Sequence, residues 1–325
     1  MPPLAPEIAR QVAQQISEVT GVSFEVKNQR SVGGGCINQA LKVSDLQRSF
    51  FVKFNQSQPV ATQLAMFEAE YEGLSAMYDT QTIRVPQPLC CGTAEDCAFI
   101  VTEWLDLASR GNEAAWQRMG EQLAAMHQYA TPQFKLTQSE LTQSRIKEGP
   151  KSESPLGFGW HRDNTIGATP QQNGWLESWV EFWRDRRLGP QFELAHDRGG
   201  IFPRRDELMS AVPRLLQGHN PKPALLHGDL WSGNAAVNES GEPVILDPAT
   251  YYGDSETDLA MTELFGRFPA AFYSAYDSVK AIPVGYEQRK VLYNLYHILN
   301  HFNLFGGSYS SQANRMIDQI LNADK

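Results

Sequence analysis

The chain predicts an α+β fold of two lobes, a small antiparallel β-sheet lobe with one positioning helix, followed by a mostly helical lobe. Three observations carry that expectation. The 325 residues exceed what a single hydrophobic core usually organises. The first hundred residues hold short runs of β-forming residues separated by turn residues, and from Glu113 onward apolar residues recur at helical spacing.

Taken in order, a short helix starts near Pro6, and SFEVKNQRSV, QALKVS and SFFVKFN then read as antiparallel strands, split by three glycines and by Asp45 to Ser49. TQLAMFEAEYEGLSAMY places Leu64, Phe67, Tyr71 and Leu74 on one helical face. RVPQPLCCGTAEDCAFIVTEWL returns to strands, and the small lobe ends near Thr102, giving an N-terminal unit of 1–102 and a C-terminal unit of 103–325. Beyond it, AAWQRMGEQLAAMHQYA, GWLESWVEFWRDRRL and YNLYHILNHF read as amphipathic helices. Within the second of these, Trp175, Trp179, Phe182 and Trp183 lie at helical spacing that suits core packing, with a substrate-facing rim as the alternative. The stretch from Thr131 to Asn173 has little periodicity and reads as a long substrate-side loop.

Composition narrows the function. A hydrophobic fraction of 42% with 20% charged residues fits a globular protein, and no apolar run is long enough to span a bilayer. A net charge of -9 repels a phosphate backbone, so nucleic acid is not an expected partner. The N-terminus lacks a secretory pattern, which predicts a cytoplasmic protein. Cys36, Cys90, Cys91 and Cys97 show neither metal-finger spacing nor a disulfide framework.

The densest chemistry lies in LLHGDLWSGN, followed by VILDPA. Singly, Asp229, Asn234 and Asp247 would pass for cap or turn residues. In this order they match the catalytic loop of kinases, with Asp229 as the base that takes a hydroxyl proton and Asn234 and Asp247 as magnesium ligands. Two hard oxygen donors suit magnesium, which takes much of its shell from water and phosphate. Upstream, Lys53 sits in FFVKFN among residues that favour burial, so its ammonium needs an anion or a phosphate. Glu70 on the following helix is its expected partner, with Glu68 as competitor. Gly33, Gly34 and Gly35 precede that strand and could bring backbone amides to the phosphates of ATP, although a glycine-rich hairpin is also an ordinary turn. Cys36, next in line, could be a reactive thiol or an inert turn residue. VTEWL offers the main chain of Glu103 and Leu105 to adenine, with Trp104 packing beside them; a plain strand end competes with this reading.

These motifs resemble the fructosamine kinase (ketosamine 3-kinase) family, related to aminoglycoside and choline kinases and to the protein-kinase fold. The resemblance runs through GGGCIN, FFVKFN, MFEAEYEGL, DNTIG, LLHGDLWSGN, LDPATYYGD and YHILNHFNLFG. It implies an ATP- and magnesium-dependent transfer of phosphate to the C3 hydroxyl of a ketoamine, free or on a glycated protein, after which the amine is released. It also implies that Trp231 walls the sugar site and that Asp258 braces the catalytic loop. The sequence departs from the family at Asp254 and Ser255, where many relatives carry His-Arg or His-Ser, which bears on local packing and substrate preference. His127, His227, His297 and His301 read as packing or hydrogen-bonding residues. The competing functions are a kinase of another small hydroxylated metabolite, such as an amino sugar, an aminoglycoside or choline, and a catalytically idle nucleotide-binding module.

Overall fold

A computed structural model describes residues 3–33, 38–57, 59–108, 111–129 and 157–323. Helix α1 (Pro6–Thr20) opens the chain, with proline in its first turn and Gly21 ending it in the left-handed region at φ 67°. Five strands follow: β1 (Asn28–Ser31), β2 (Gln39–Ser44), β3 (Ser49–Asn55), β4 (Pro88–Ala94) and β5 (Cys97–Glu103). They form one antiparallel sheet in the order β1-β2-β3-β5-β4. Helix α2 (Val60–Thr80) lies between β3 and β4 in sequence.

Strand alternation decides what each face of this sheet does. On β3, Phe50, Val52 and Phe54 join Ile8, Val12 and Ile16 of α1 in one core. Lys53 points the other way, alongside Ile100 of β5, toward the face that α2 covers with Phe67, Leu74 and Met77. Phe67 is fully buried there, so truncating it to alanine should cost about 3–5 kcal/mol. The sheet thus has a helix on each face, the expected positioning helix α2 on one and, on the other, the helix expected to start near Pro6.

The first strand is shorter than SFEVKNQRSV suggests. The backbone N–H of Phe24 donates to Ser17 Oγ at 2.8 Å and its ring packs edge-on against Phe50, so this stretch is tied to α1.

The C-terminal part contains α3 (Glu113–Gln128), α4 (Trp179–Phe182), α5 (Gly189–Asp197), α6 (Arg205–Leu215), α7 (Glu256–Leu264), α8 (Ala270–Val279), α9 (Tyr286–Phe305) and α10 (Tyr309–Ala323). Short strands lie among them: β6 (Leu107–Ala108), the hairpin β7 (Asn164–Ile166) and β8 (Thr169–Gln171), β9 (Ala224–Leu226), β10 (Ala235–Asn238), β11 (Pro243–Ile245) and β12 (Tyr251–Gly253). Three sequence expectations are revised here. Residues 157–173 are not a plain loop, because they carry the β7–β8 hairpin, anchored by the fully buried Asn173. The rest of that stretch, 131–156, lies outside the described residues.

Second, GWLESWVEFWRDRRL is helical only from Trp179, capped by Ser178, and Trp183–Leu188 forms a π-helical turn between α4 and α5. That turn accompanies the burial of Arg187, which donates to Gln172 O at 2.6 Å and to Asn173 Oδ1 at 2.8 Å under the ring of Tyr251. Trp179, Phe182 and Trp183 are core residues, as their spacing suggests. Third, α9 is buried on all sides from Leu292 to Asn300, so it is a central helix rather than an amphipathic surface one. Among the described residues no helix is long and apolar enough to cross a membrane.

Candidate active site

The segment after β9 is built so that its backbone can double back. Gly228 sits at φ +81°, and a Cβ there would meet the carbonyl oxygen of Ala249 at 2.1 Å, so only glycine fits. Asp258, near the start of α7 and 1% exposed, accepts from the backbone N–H groups of His227 and Gly228, each at 2.8 Å. His127 of α3 adds a third bond at 3.1 Å, and its other ring nitrogen meets Tyr276 OH at 2.8 Å. Burial works against the charge of Asp258, but His127, His227 and these N–H groups hold its carboxyl below the usual range.

His227 is buried and its pKa is lowered, chiefly by burial. Its Nδ1 accepts from the backbone N–H of Asp229 at 3.2 Å, so Nε2 carries the proton and donates to Leu246 O at 2.8 Å. His227 therefore ties the Asp229 segment to the Asp247 segment. Asp247 has φ 55°, a strained conformation for a non-glycine residue, of the kind that collects at functional sites.

Lys53 Nζ lies 2.6 Å from Glu70 Oε1 and 2.8 Å from Asp247 Oδ1. Burial opposes the lysine's charge, yet Asp247 and Glu70 together raise its pKa above the ordinary value. Partial loss of water opposes the charge of Asp247, whose side chain stays 55% exposed, and Lys53 more than offsets it, keeping that carboxyl low. Burial raises Glu70 against the pull of Lys53. The competitor Glu68 pairs instead with Arg162 at 2.9 Å.

Asn234 is 7% exposed and donates through Nδ2 to Asp229 O at 2.8 Å and to Asp229 Oδ2 at 3.2 Å. With its nitrogen so engaged, the amide keeps its oxygen for another partner. Burial, then the nearby charge of Asp247, push the Asp229 carboxyl well above the usual carboxylate range. Trp231 is 38% exposed, folds its ring over Gly233 and meets Phe265 edge-on at 6.4 Å. Phe265 in turn lies tilted against His301 of α9, with ring centroids 4.4 Å apart, beside Phe305, which is 60% exposed. No local pattern signals this aromatic row, because Trp231, Phe265 and His301 lie far apart in the chain and Phe265 follows the end of α7.

Other expected residues are placed less closely. The N–H of Glu103 is bonded to Gln87 O at 3.0 Å and its side chain to Arg84 at 2.7 Å, which leaves the carbonyl as its main-chain group for a ligand, shared with the hydroxyl of Thr102. Leu105 follows two residues on, and Trp104 carries Lys42 over its ring at 4.3 Å. Gly33 is exposed with open space about it; Gly34, Gly35 and Cys36 lie outside the described residues. Burial pushes the thiol of Cys90 up to about 12 and those of Cys91 and Cys97 up to about 11, so none of these three is a ready nucleophile. His297 and His301 sit in α9, where His301 Nδ1 donates to His297 O at 2.8 Å.

A strand lysine paired with a helix glutamate, facing a loop with an aspartate, an asparagine and a second aspartate, is the arrangement of a kinase-fold phosphotransferase. The choline kinase LicA from Streptococcus pneumoniae shares the fold, with a TM-score of 0.59 at 15% identity over 97% of this chain and 98% of that one. More narrowly, a family model for fructosamine kinase matches residues 8–323, and the chain belongs to that family. The probable ketoamine kinase of Synechocystis sp. is 51% identical over 99% of both chains. The chloroplastic protein-ribulosamine 3-kinase of Arabidopsis thaliana is 44% identical over 93% of this chain and 85% of its own length. The crystal structure of a fructosamine-3-kinase homologue from Haemophilus somnus 129PT superposes with a TM-score of 0.81 at 28% identity, covering 95% of this chain and 96% of that one.

Proposed function

We propose that this chain is a ketoamine 3-kinase that moves the γ-phosphoryl group of ATP to the C3 hydroxyl of fructosamine- or ribulosamine-type adducts, whose phosphorylated product then sheds the amine. The observation that carries the reading is that Lys53 pairs with both Glu70 and Asp247, while Asn234 is bonded to Asp229, whose carboxyl feels the charge of Asp247, in a fructosamine kinase family member. In this reading the division of labour follows the two sequence units, with 1–102 holding the nucleotide and 103–325 the base and the substrate.

Asp229 orients the C3 hydroxyl and accepts its proton as the oxygen attacks the γ-phosphorus. Lys53, aimed by Glu70, sets the α- and β-phosphates, and the glycines from Gly33 cover them. The carbonyl of Glu103 and the N–H of Leu105 take the polar edge of adenine. The donor set suits magnesium: the Asn234 oxygen and the second oxygen of Asp247 are hard ligands, and a bound ion would neutralise phosphate charge. The exposed face of Trp231, backed by Phe265, supplies the apolar wall for the carbon skeleton. Because the phosphoryl transition state is loose, positioning and electrostatics supply most of the acceleration.

The reading is tested by comparing ATP consumption on fructoselysine, ribuloselysine, choline and kanamycin. Turnover with the two ketoamines alone is expected. Preference for choline or kanamycin would assign the site to another small metabolite, and no turnover on any would leave only a nucleotide-binding module.

A further inference from the structure

Helix α2 carries three glutamates within five residues, and only one of them serves Lys53. Two residues along a helix is a turn of about 200°, so Glu68 and Glu72 lie together on a face turned away from Glu70. Arg162 spans them, with Nη2 at 2.9 Å from Glu68 Oε2 and Nη1 at 2.9 Å from Glu72 Oε1, and His161 Nε2 adds a contact to Glu72 at 2.8 Å. Without the arginine these two like charges, one turn apart, would repel.

Arg162 is itself fixed to the C-terminal lobe. Its carbonyl accepts from Asn173 Nδ2 at 3.2 Å, and Asn173 is fully buried, with further bonds to Asn164 at 2.8 Å and Arg187 at 2.8 Å. Just upstream, Gly159 exchanges backbone bonds with Tyr252 of β12 at 2.9 and 2.8 Å. One face of α2 therefore holds Lys53 in the sheet while the other is held by a rigid part of the opposite lobe.

We infer that Arg162 is a positioning residue that fixes α2, and through Glu70 sets Lys53 within reach of Asp247. The inference rests on the reading of Lys53 and Glu70 as the phosphate-positioning pair. In this inference Arg162 acts through the helix, by way of Glu68 and Glu72. The Arg162 side chain is 28% exposed and those of Glu68 and Glu72 are 40% and 35%, so solvent screens the pairs and the effect should be moderate.

The test is a set of full-length variants, Arg162→Ala, Arg162→Lys, the double change Glu68→Gln/Glu72→Gln, Glu70→Ala, and Glu70→Ala combined with Arg162→Ala. Binding of AMP-PNP with magnesium is measured by calorimetry, alongside steady-state kinetics and melting temperature. Arg162→Ala is expected to weaken nucleotide binding about five- to tenfold and to lower kcat, with the ketoamine KM changed by less than about twofold. Arg162→Lys should recover part of the loss, since it keeps the charge but not the two-pronged geometry. The double glutamine variant should match Arg162→Ala, which serves if the alanine variant folds poorly. In the Glu70→Ala background, Arg162→Ala should add almost nothing. Equal losses in both backgrounds, or a ketoamine KM that rises as far as the nucleotide constant, would overturn the inference. Wild-type nucleotide affinity in Glu70→Ala alone would instead locate the failure in the Lys53–Glu70 reading beneath it.

Discussion

Replacing Asp258 by asparagine tests how the segment that carries Asp229 is held. The carboxylate receives two backbone N–H groups at 2.8 Å and the His127 ring at 3.1 Å, in a position 1% exposed. Asparagine keeps one acceptor oxygen, but its NH2 then faces a backbone N–H, donor against donor, and the carboxylate's charge is gone. Hydrogen bonds to a charged group contribute about 1.5–3 kcal/mol each, and breaking a buried network of this kind costs about 3–5 kcal/mol in all. For a domain of this size that corresponds to a fall in melting temperature on the order of ten degrees. Since His227 and Gly228 directly precede Asp229, the proposed base should also shift, and a displacement of about 1 Å can cost about a hundredfold in rate. Thermal melts with steady-state kinetics, on protein checked by circular dichroism, read both quantities. A variant that melts within about two degrees of wild type at unchanged kcat would refute this account of the loop.

Trp231→Ala should raise the ketoamine KM more than the ATP KM, with a smaller fall in kcat, and Trp231→Phe should recover much of the loss; equal damage to both substrates with a lowered melting temperature would make the indole a packing residue. Gly73→Ala should disturb α2, because the new Cβ would meet Thr250 Oγ1 at 2.5 Å and Thr250 is 1% exposed; a loss of about 1–3 kcal/mol in urea titration is expected. Acid stability should depend on His297, whose pKa burial lowers to about 3, with His301 adding to the shift, Asp258 opposing it and Arg187 contributing further lowering. The unfolded chain takes up this proton near pH 6.5 and the folded one only near 3, so the contribution is complete above about pH 6.5. It falls by about 1.4 kcal/mol per unit as the pH drops below that value. His297→Gln should flatten the urea midpoint against pH between 6 and 4, and an unchanged slope would contradict the assignment.

The residues around the Lys53–Asp247 pair were legible because each had to satisfy a local rule as well as a distant one. Lys53 stands out as the charge in a strand of buried residues, and Asp229, Asn234 and Asp247 keep a spacing that a short loop and the strands after it impose. Between Glu68 and Glu70, helical spacing alone discriminates weakly; Arg162 decides it by holding Glu68 on the opposite face. Arg162 was itself invisible, since it lies in an aperiodic polar stretch whose order comes from the buried amide of Asn173. The burial of much of α9 was hidden for a related reason. Its Asn303 looks solvent-facing in sequence, yet it donates to Gln191 at 2.7 and 2.9 Å in the interior. The π-helical turn depends on Arg187 finding partners in another segment, which no local pattern encodes.

The most direct measurement follows the phosphate itself. Fructoselysine, ATP and magnesium are incubated with wild type and with Asp229→Asn, and the phosphorylated position is assigned by phosphorus and carbon NMR before the product decays. Wild type should place phosphate on the C3 oxygen and then release lysine, while the variant should bind nucleotide normally yet turn over at least about a hundredfold more slowly. Phosphate on any other hydroxyl, or a variant as fast as wild type, would contradict the assignment of this chain as a ketoamine 3-kinase that uses Asp229 as its base.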